Sequence, residues 1–347
     1  MAKARRFFSN DSFWNTPVPR DAEADPRSGH FTDLLMQGLY GPGFGINTTH
    51  WTIPVYEVDA RTPRRVMHQR PNDFDAHYLW RKKPFRHGPG FGPEIPIPDH
   101  AQPDPQGDAH MAMVDWAAMR AWDMWAVHKR PDGEWESATG MTYALDGSGV
   151  FASRPDGTRL SSRWDSGSQR EGPGGKRSMF HPAPGDSIHF HGPSRAAGVP
   201  AIAGLIMLDE MRAGRIEHKL AFACRSNGYQ EFVWPAAWSD GMTDGGIPEG
   251  AVLQLDPSLD LRRFDLGPGG LIVARALQEY GAVDVDVAGG NALYAEHPFG
   301  KPGMTWEGVL DPFCISRIDA KHFRVLKLGE VVHGGKSRRP TPPVRDK

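Results

Sequence analysis

Turns interrupt this sequence so often that a bundle of long helices is excluded. The 347 residues include 40 glycines and 31 prolines, and both residue types end helices and disturb strand pairing. The segment 92–108 alone has five prolines, which could not pair inside a sheet. Short apolar runs lie between these turns, as in proteins made of many short strands.

Several of these runs have the alternation of a β-strand. Residues 108–115 and 121–128 read as a hairpin, and 216–222 reads as a further strand. Only 270–280 has a clear helical face, which Gly281 ends. We therefore predict a mostly β protein, a single β-sandwich or jelly-roll-like domain with one prominent late α-helix and long loops.

The ends of the chain differ in composition from its centre. We expect an extended N-terminal arm over 1–30, a β-rich core domain over 31–335, and a tail rich in proline and arginine over 336–347. Such a tail is typical of a disordered segment, or of one that contacts a partner. It is the expected contact of a homo-oligomer or larger assembly.

Charge and hydropathy exclude two classes of partner. The net charge of −2, with both signs interspersed, lacks the basic patch of a nucleic-acid-binding protein. No apolar run reaches the roughly 18 residues that a membrane span needs. The N-terminus has no apolar signal-peptide core. We nevertheless expect an extracellular, cell-surface or virion location, and a cytoplasmic location stays open.

The segment 189–220 concentrates histidines, arginines and an Asp-Glu pair beside apolar runs. Glu210 and His218 lie on either side of a turn, and Asp115 and Asp123 lie on neighbouring predicted strands. Paired carboxyl groups can hydrolyse a glycosidic bond, one as acid and the other as base or nucleophile. The alternative is structural, with Glu210 and Asp115 capping turns.

A second scheme uses the basic residues of the same region. His218 or Tyr229 can remove the proton next to a uronate carboxylate, while an arginine neutralises that carboxylate. The candidate arginines for this lyase chemistry are Arg195, Arg212 and Arg215.

Aromatic residues supply candidate sugar-binding surfaces. The chain has 11 tryptophans, and an indole ring can stack on a sugar ring as well as fill a core. The candidates for substrate stacking are Trp122, Trp125, Trp234 and Trp238.

His189 and His191 are two residues apart, so on a strand they would face the same way as a pair of metal ligands. His110, His181 or His218 could supply a third ligand. The surrounding segment 184–192 is similar to a cupin motif, but the glutamate expected after it is absent. Apart from such a divalent metal, no cofactor is expected.

A series of short motifs follows in a fixed order. It comprises Gly107-Asp108-Ala109-His110, Trp122-Asp123-Met124-Trp125, Ser194 to Pro200, Asp209-Glu210, Gly214 to Leu220, Val233-Trp234-Pro235-Ala236, and Ala276 to Gly281 with the following Asp286. Over about residues 100 to 300 this order resembles a family of β-rich bacterial and fungal proteins associated with polysaccharides. The resemblance implies a β-rich fold and a glycan partner, and it adds His110 to the candidate catalytic residues.

The chain departs from the family pattern at two positions. The aspartate of the family's Ser-Ala-Asp-Ala-Ala-Gly segment is missing, and a later histidine is replaced by Trp238. Three hypotheses therefore stand, one of them a metal enzyme of cupin type that uses His189 and His191. The first is a carbohydrate-active enzyme, a lyase or glycoside hydrolase, that degrades an acidic or complex polysaccharide. The second is a non-catalytic glycan-binding module, such as a phage tail or virion receptor-binding protein.

Overall fold

Three sheets are stacked in this protein, with helices on one outer side. The computed structural model describes residues 4–38, 41–70, 87, 91–151 and 193–333. Within these ranges the helices are α1 (Ser28–Leu35), α2 (Leu208–Ala213) and α3 (Gly267–Glu279). The strands are β1 (Gly45–Asn47), β2 (Ile53–Glu57), β3 (Arg64–Gln69), β4 (Glu94–Pro96), β5 (Met111–Asp115), β6 (Arg120–Trp125), β7 (His128–Lys129), β8 (Trp135–Ser137), β9 (Thr139–Ala144), β10 (Leu220–Cys224), β11 (Asn227–Phe232), β12 (Ile247–Glu249), β13 (Val252–Leu255), β14 (Ala282–Val287), β15 (Ala292–Tyr294), β16 (Glu296–His297), β17 (Phe323–Val325) and β18 (Val332–His333).

The strands form four sheets of mixed direction. The largest has the order β1-β15-β10-β14-β13-β17, and the second has the order β16-β2-β5-β6-β9. A third sheet has the order β4-β3-β8-β7, and a small fourth one has the order β12-β11-β18. The pairs β10–β14, β2–β5 and β11–β12 are parallel, so each joins segments that are far apart in the sequence.

Strand β10 separates two hydrophobic cores. Leu220, Phe222 and Cys224 face a helix-side core, which also contains apolar side chains of α1, α2 and α3. Ala221 and Ala223 face the opposite way, into a central core between the two largest sheets. Both faces of the strand are buried, which explains its continuous apolar sequence.

Strand β5 divides the central core from an outer core. Ala112 and Val114 face the central core, whereas Met111 and Met113 face the outer one. Strands β3, β4 and β8 cover that outer core with Met67, Ile95 and Trp135. The order of layers is therefore helices, large sheet, second sheet and third sheet.

The predicted mostly β, sandwich-like fold with one late helix is confirmed. Helix α3 begins at Gly267, three residues before the predicted start, because Pro268 takes the first turn, where its missing N–H costs nothing. Strand β10 begins at Leu220, so the segment 216–219 lies outside the strand predicted there. The division into arm, core and tail stays a prediction, and the tail lies outside the described residues. In the ranges given above, no helix has the length and apolar character needed to cross a membrane.

We predict that Phe222→Ala lowers the free energy of unfolding by about 3–5 kcal/mol, because it leaves a cavity in the helix-side core. Phe222 has no solvent exposure and contacts Phe44 edge-on at 5.9 Å between ring centroids. Phe313 is 65% exposed, so Phe313→Ala is the matched control, with an expected change within about 0.5 kcal/mol. Urea unfolding measures both changes. Equal losses of unfolding free energy in the two variants would contradict the assignment of Phe222 to a buried core.

Candidate functional site

Two aspartates lie in a strand whose other residues are apolar. Asp284 is fully buried in β14, and Asp286 is partly exposed near its end. The pairing of β14 with β10 shifts between them, because Phe222 opposes Asp284 and Ala223 opposes Asp286. Such a β-bulge adds one residue to a strand and redirects its side chains, and bulges are common beside active sites.

The side-chain amide of Asn227, at the start of β11, joins the surrounding strands. Its Nδ2 donates to Asp284 Oδ1 at 2.9 Å, to Glu249 Oε1 at 3.2 Å and to the Asp286 carbonyl at 3.0 Å. Its Oδ1 accepts from Cys224 Sγ at 2.8 Å. Asn227 is fully buried, and both the nitrogen and the oxygen of its side-chain amide are hydrogen-bonded to protein groups.

Glu249 and Asp240 form a second pair of carboxyl groups close to Asn227. Glu249 has no solvent exposure, whereas Asp240 is partly exposed. Burial raises the pKa of Glu249 well above its ordinary value, and the charge and hydrogen bond of Asp240 raise it further. Two carboxyl groups in contact cannot both ionise easily, which favours the protonated form of Glu249.

Asp108 and Arg195 complete the group. Asp108, in the turn before β5, accepts a hydrogen bond from Trp125 Nε1 at 3.4 Å. Arg195 is 1% exposed, and its guanidinium lies 3.8 Å from the centroid of the Tyr294 ring. Its Nε has no hydrogen-bond partner among the described residues, which leaves a buried donor to be satisfied.

These carboxyl groups influence one another electrostatically, and we call Asp108, Asp240, Glu249, Asp284 and Asp286 the acidic centre. Burial raises the pKa of Asp286 well above its ordinary value. The charges of Asp240 and Asp108 add to the rise, and Arg195 opposes it. Burial likewise raises the pKa of Asp108. The guanidinium of Arg195 thus acts on Asp108 and Asp286, and desolvation favours the protonated form of the buried members of the acidic centre.

Asp123 holds the loop that carries Arg195. Its Oδ1 accepts from the backbone N of Ser194 at 3.0 Å, and its Oδ2 accepts from that of Ala201 at 2.7 Å and from the Tyr143 hydroxyl at 2.9 Å. Burial raises the pKa of Asp123 to about 6, although these hydrogen bonds oppose the rise. Both oxygens are occupied, so the structure gives this predicted catalytic residue a positioning role.

His110 is buried two residues after Asp108. Its Nδ1 donates to the Met124 carbonyl at 3.3 Å, which leaves Nε2 as an acceptor. Burial lowers the pKa of His110 to about 3, and the charge of Arg195 contributes. The structure therefore brings His110, Trp125 and Arg195 together beside Asp108, with His110 as a neutral imidazole.

Glu210 and His218 meet as expected, but in other surroundings. His218 Nε2 lies 3.1 Å from Glu210 Oε2, and its Nδ1 lies 2.7 Å from the Lys219 carbonyl. Burial would lower the pKa of His218, but the charge and hydrogen bond of Glu210 outweigh burial and raise it. Glu210 Oε2 also accepts from the Met207 backbone N, at the start of α2. The pair is buried beside the N-terminal arm and ties α2 to the start of β10.

The residues of the lyase scheme are not gathered at one place. Arg212 is exposed on α2. Arg215 pairs with Glu279 at 2.8 Å and with Glu217 at 3.3 Å on the surface. Tyr229 lies on β11, where its backbone N donates to the Thr243 carbonyl.

The four candidate tryptophans have different surroundings. Trp122 is buried in the outer core, and Trp238 is also buried. Trp234 packs edge-on against Phe13 at 4.7 Å and lines a groove of about 840 Å³ beside the N-terminal arm. Trp125 contacts the acidic centre through the hydrogen bond of its Nε1 to Asp108.

Asp115 caps the turn between β5 and β6, where its Oδ1 accepts from the backbone N of Ala117 and Ala118. His189 and His191 lie outside the described residues. In the part of the chain that the structure describes, no three histidine, cysteine or acidic side chains are placed to hold a metal ion. The acidic centre is thus a set of neighbouring carboxyl groups without the convergence that a metal site needs.

Sequence reasoning did not select Asp240, Glu249, Asp284 or Asn227 for chemistry, and Asp108 and Asp286 entered only through the family motifs. One pattern could have found two of them. In Val283-Asp284-Val285-Asp286-Val287, acids alternate with β-branched residues in a strand that must be buried. A buried acid is uncommon without a specific partner or role.

Comparison of the chain with protein-family models, with curated proteins and with solved structures finds no significant match.

We predict that the free energy of unfolding falls as pH rises above the ordinary pKa range of carboxyl groups. We also predict that Asp284→Asn makes this fall with pH less steep. Burial raises the pKa of Asp284 well above 3.8 against the opposing hydrogen bond of Asn227, while Asp286 and Asp240 add to the rise. The folded protein thus keeps a proton that the unfolded chain releases. Stability is greatest at low pH and is lost by about 1.4 kcal/mol per pH unit for each such proton.

Urea unfolding between about pH 5 and about pH 8 measures the slope. The control is Asp265→Asn, which removes a carboxyl group from the surface, where its side chain is 88% exposed. We expect the control to keep the wild-type slope. An Asp284→Asn variant with the full wild-type slope would show that Asp284 is ionised in the folded protein.

Proposed function

We propose that the protein is a carbohydrate-active enzyme of the glycoside hydrolase type, with the acidic centre as its catalytic site. The observation that supports this most directly is the raised pKa of the partly exposed Asp286 beside other carboxyl groups. Glycosidic bond cleavage needs a carboxyl group that is still protonated near neutral pH and a second one that is ionised.

The exposure of the side chains suggests the roles. Asp286 is partly exposed, so it can reach a substrate and give its proton to the glycosidic oxygen as the carbon–oxygen bond breaks. Asp240 is also partly exposed and can accept a proton from the attacking water. Glu249 is fully buried behind Asp240 and cannot touch a substrate. The role of Glu249 is to act electrostatically on Asp240.

The charge balance favours a neutral or cationic glycan over an acidic one. A uronate carboxylate would bring a further negative charge next to Asp286, whose pKa the charges of Asp240 and Asp108 already raise, and like charges repel there. Arg212 and Arg215, which a lyase could have used to bind a uronate, lie on the surface away from Arg195. Of the two reactions considered, hydrolysis is therefore better supported than lyase chemistry.

A non-catalytic glycan-binding module is the second candidate, and the position of Arg195 favours it. Burial raises the pKa of both Asp108 and Asp286, but the charge of the Arg195 guanidinium opposes that rise, which weakens their capacity to hold a proton for catalysis. In this alternative the same residues would bind the hydroxyl groups of a glycan without cleaving it.

The test is incubation with a panel of neutral, cationic and acidic polysaccharides, read by reducing ends and by ultraviolet absorbance. We expect reducing ends without a rise in absorbance, since a rise would indicate lyase chemistry. Asp286→Asn should lower the rate about 100-fold or more, because it removes the proton donor.

Asp265→Asn is the control and should keep the wild-type rate. Unfolding curves verify that both variants are folded. If the wild-type protein binds a glycan but releases no product from it, the binding module is correct. If Asp286→Asn retains full activity, the acid has been assigned to the wrong residue.

A further inference from the structure

Trp51 is a half-exposed tryptophan in a strained conformation. It lies between β1 and β2, is 50% exposed, and has a φ of 55°. Few side chains adopt this left-handed region, and for a bulky residue it is a clear outlier that costs free energy. Glycine would fit the same backbone without that cost.

The surrounding contacts hold Trp51 in this conformation. Its backbone N donates to Gln106 Oε1 at 3.2 Å, and its carbonyl accepts from Asn47 Nδ2 at 3.1 Å. The outer edge of the indole comes close to Gly107, with a ring carbon 3.7 Å from the position that a Cβ of Gly107 would take. A larger residue at position 107 would therefore contact the ring, and Trp51 still exposes half of its surface.

Trp51 adjoins the acidic centre through this contact, because Gly107 directly precedes Asp108. The backbone is also left-handed at Ala109 and Ala126, with φ values of 43° and 54°. The N of Ala126 donates to the Asp108 carbonyl at 2.9 Å. Strained backbone is thus concentrated around Asp108, as is typical of functional sites.

Exposed polar residues directly precede Trp51 in the chain. Thr49 and His50 are both exposed, and the hydroxyl of Thr49 lies 2.9 Å from His50 Nδ1. Asp104 is buried and fixes the local backbone, since it accepts from the backbone N of Thr52 at 3.4 Å and from that of Gln106 at 3.1 Å. An exposed indole next to exposed polar residues suits a sugar ring, which has an apolar C–H face and hydroxyl groups at its rim.

We infer that Trp51 is the stacking platform of a sugar-binding subsite next to the acidic centre, and that it takes an uncharged pyranose ring of a glycan chain. This rests on the proposed function for the identity of the ligand as a glycan. The sugar stacked on Trp51 and the sugar that meets Asp286 would belong to neighbouring units of one chain. The strain at Trp51 is retained because the backbone presents the indole beside Asp108.

The decisive variant is Trp51→Gly, with Trp51→Phe as the conservative one and Phe313→Ala as a control that removes an exposed aromatic ring elsewhere. The full chain is used throughout. Affinity electrophoresis and calorimetry measure binding of each neutral polysaccharide of the panel, and kcat and KM are measured for any that is cleaved. Thermal unfolding is measured in parallel.

We expect Trp51→Gly to weaken glycan binding, or to raise KM, by about tenfold or more through the loss of stacking. Its melting temperature should be equal to or above that of the wild type, since glycine relieves the strain. Trp51→Phe should recover most of the affinity, and Phe313→Ala should change neither quantity.

Unchanged glycan affinity in Trp51→Gly would overturn the inference, and so would a drop in its melting temperature, which indicates a structural role. The experiment can overturn the Trp51 subsite and the hydrolase function independently of each other. Cleavage that depends on Asp286 but not on Trp51 would overturn only the subsite. Binding that depends on Trp51 without cleavage would support the subsite and overturn the hydrolase. A wild-type protein that neither binds nor cleaves any glycan would overturn both.

Discussion

The amide of Asn227 is the contact on which the acidic centre depends. It joins β11 to Glu249 of β12 and to Asp284 of β14, in an interior where neither carboxyl group has solvent exposure. A buried polar group without a partner costs on the order of 1–3 kcal/mol. Without this amide, Glu249 Oε1 and Asp284 Oδ1 would each lose a hydrogen bond in the middle of the protein. The parallel pairing of β11 with β12 brings the three side chains together.

Desolvation then determines how strongly the carboxyl groups of the acidic centre hold a proton. Burial raises the pKa of Glu249, Asp284 and Asp286, and their mutual repulsion strengthens the effect. Arg195 supplies an opposing positive charge to Asp108 and Asp286, and its loop is fixed by hydrogen bonds to Asp123. Under the proposed function, a protonated acid and an ionised partner coexist at this site, which is the condition for acid–base catalysis.

The sequence predicted local features well and long-range contacts poorly. Helix α3 and the meeting of Glu210 with His218 follow from patterns within a few residues, where periodicity and turns decide the structure. Asp108 and Asp240 come from loops far apart in the chain, and only the parallel pairing of distant strands places them near Asp286. No local pattern encodes that proximity. Trp51 escaped notice because its exposure and its left-handed φ are properties of the folded chain.

The most direct test of this account is infrared spectroscopy of the protein's carboxyl groups at neutral pH. The account predicts an absorption band of protonated carboxyl groups in the wild-type protein. The band should weaken in Asp284→Asn and in Glu249→Gln, because each replaces one buried acid that holds a proton. If the wild-type protein has no such band at neutral pH, its carboxyl groups are all ionised, and the acidic centre cannot supply the proton that the proposed reaction requires.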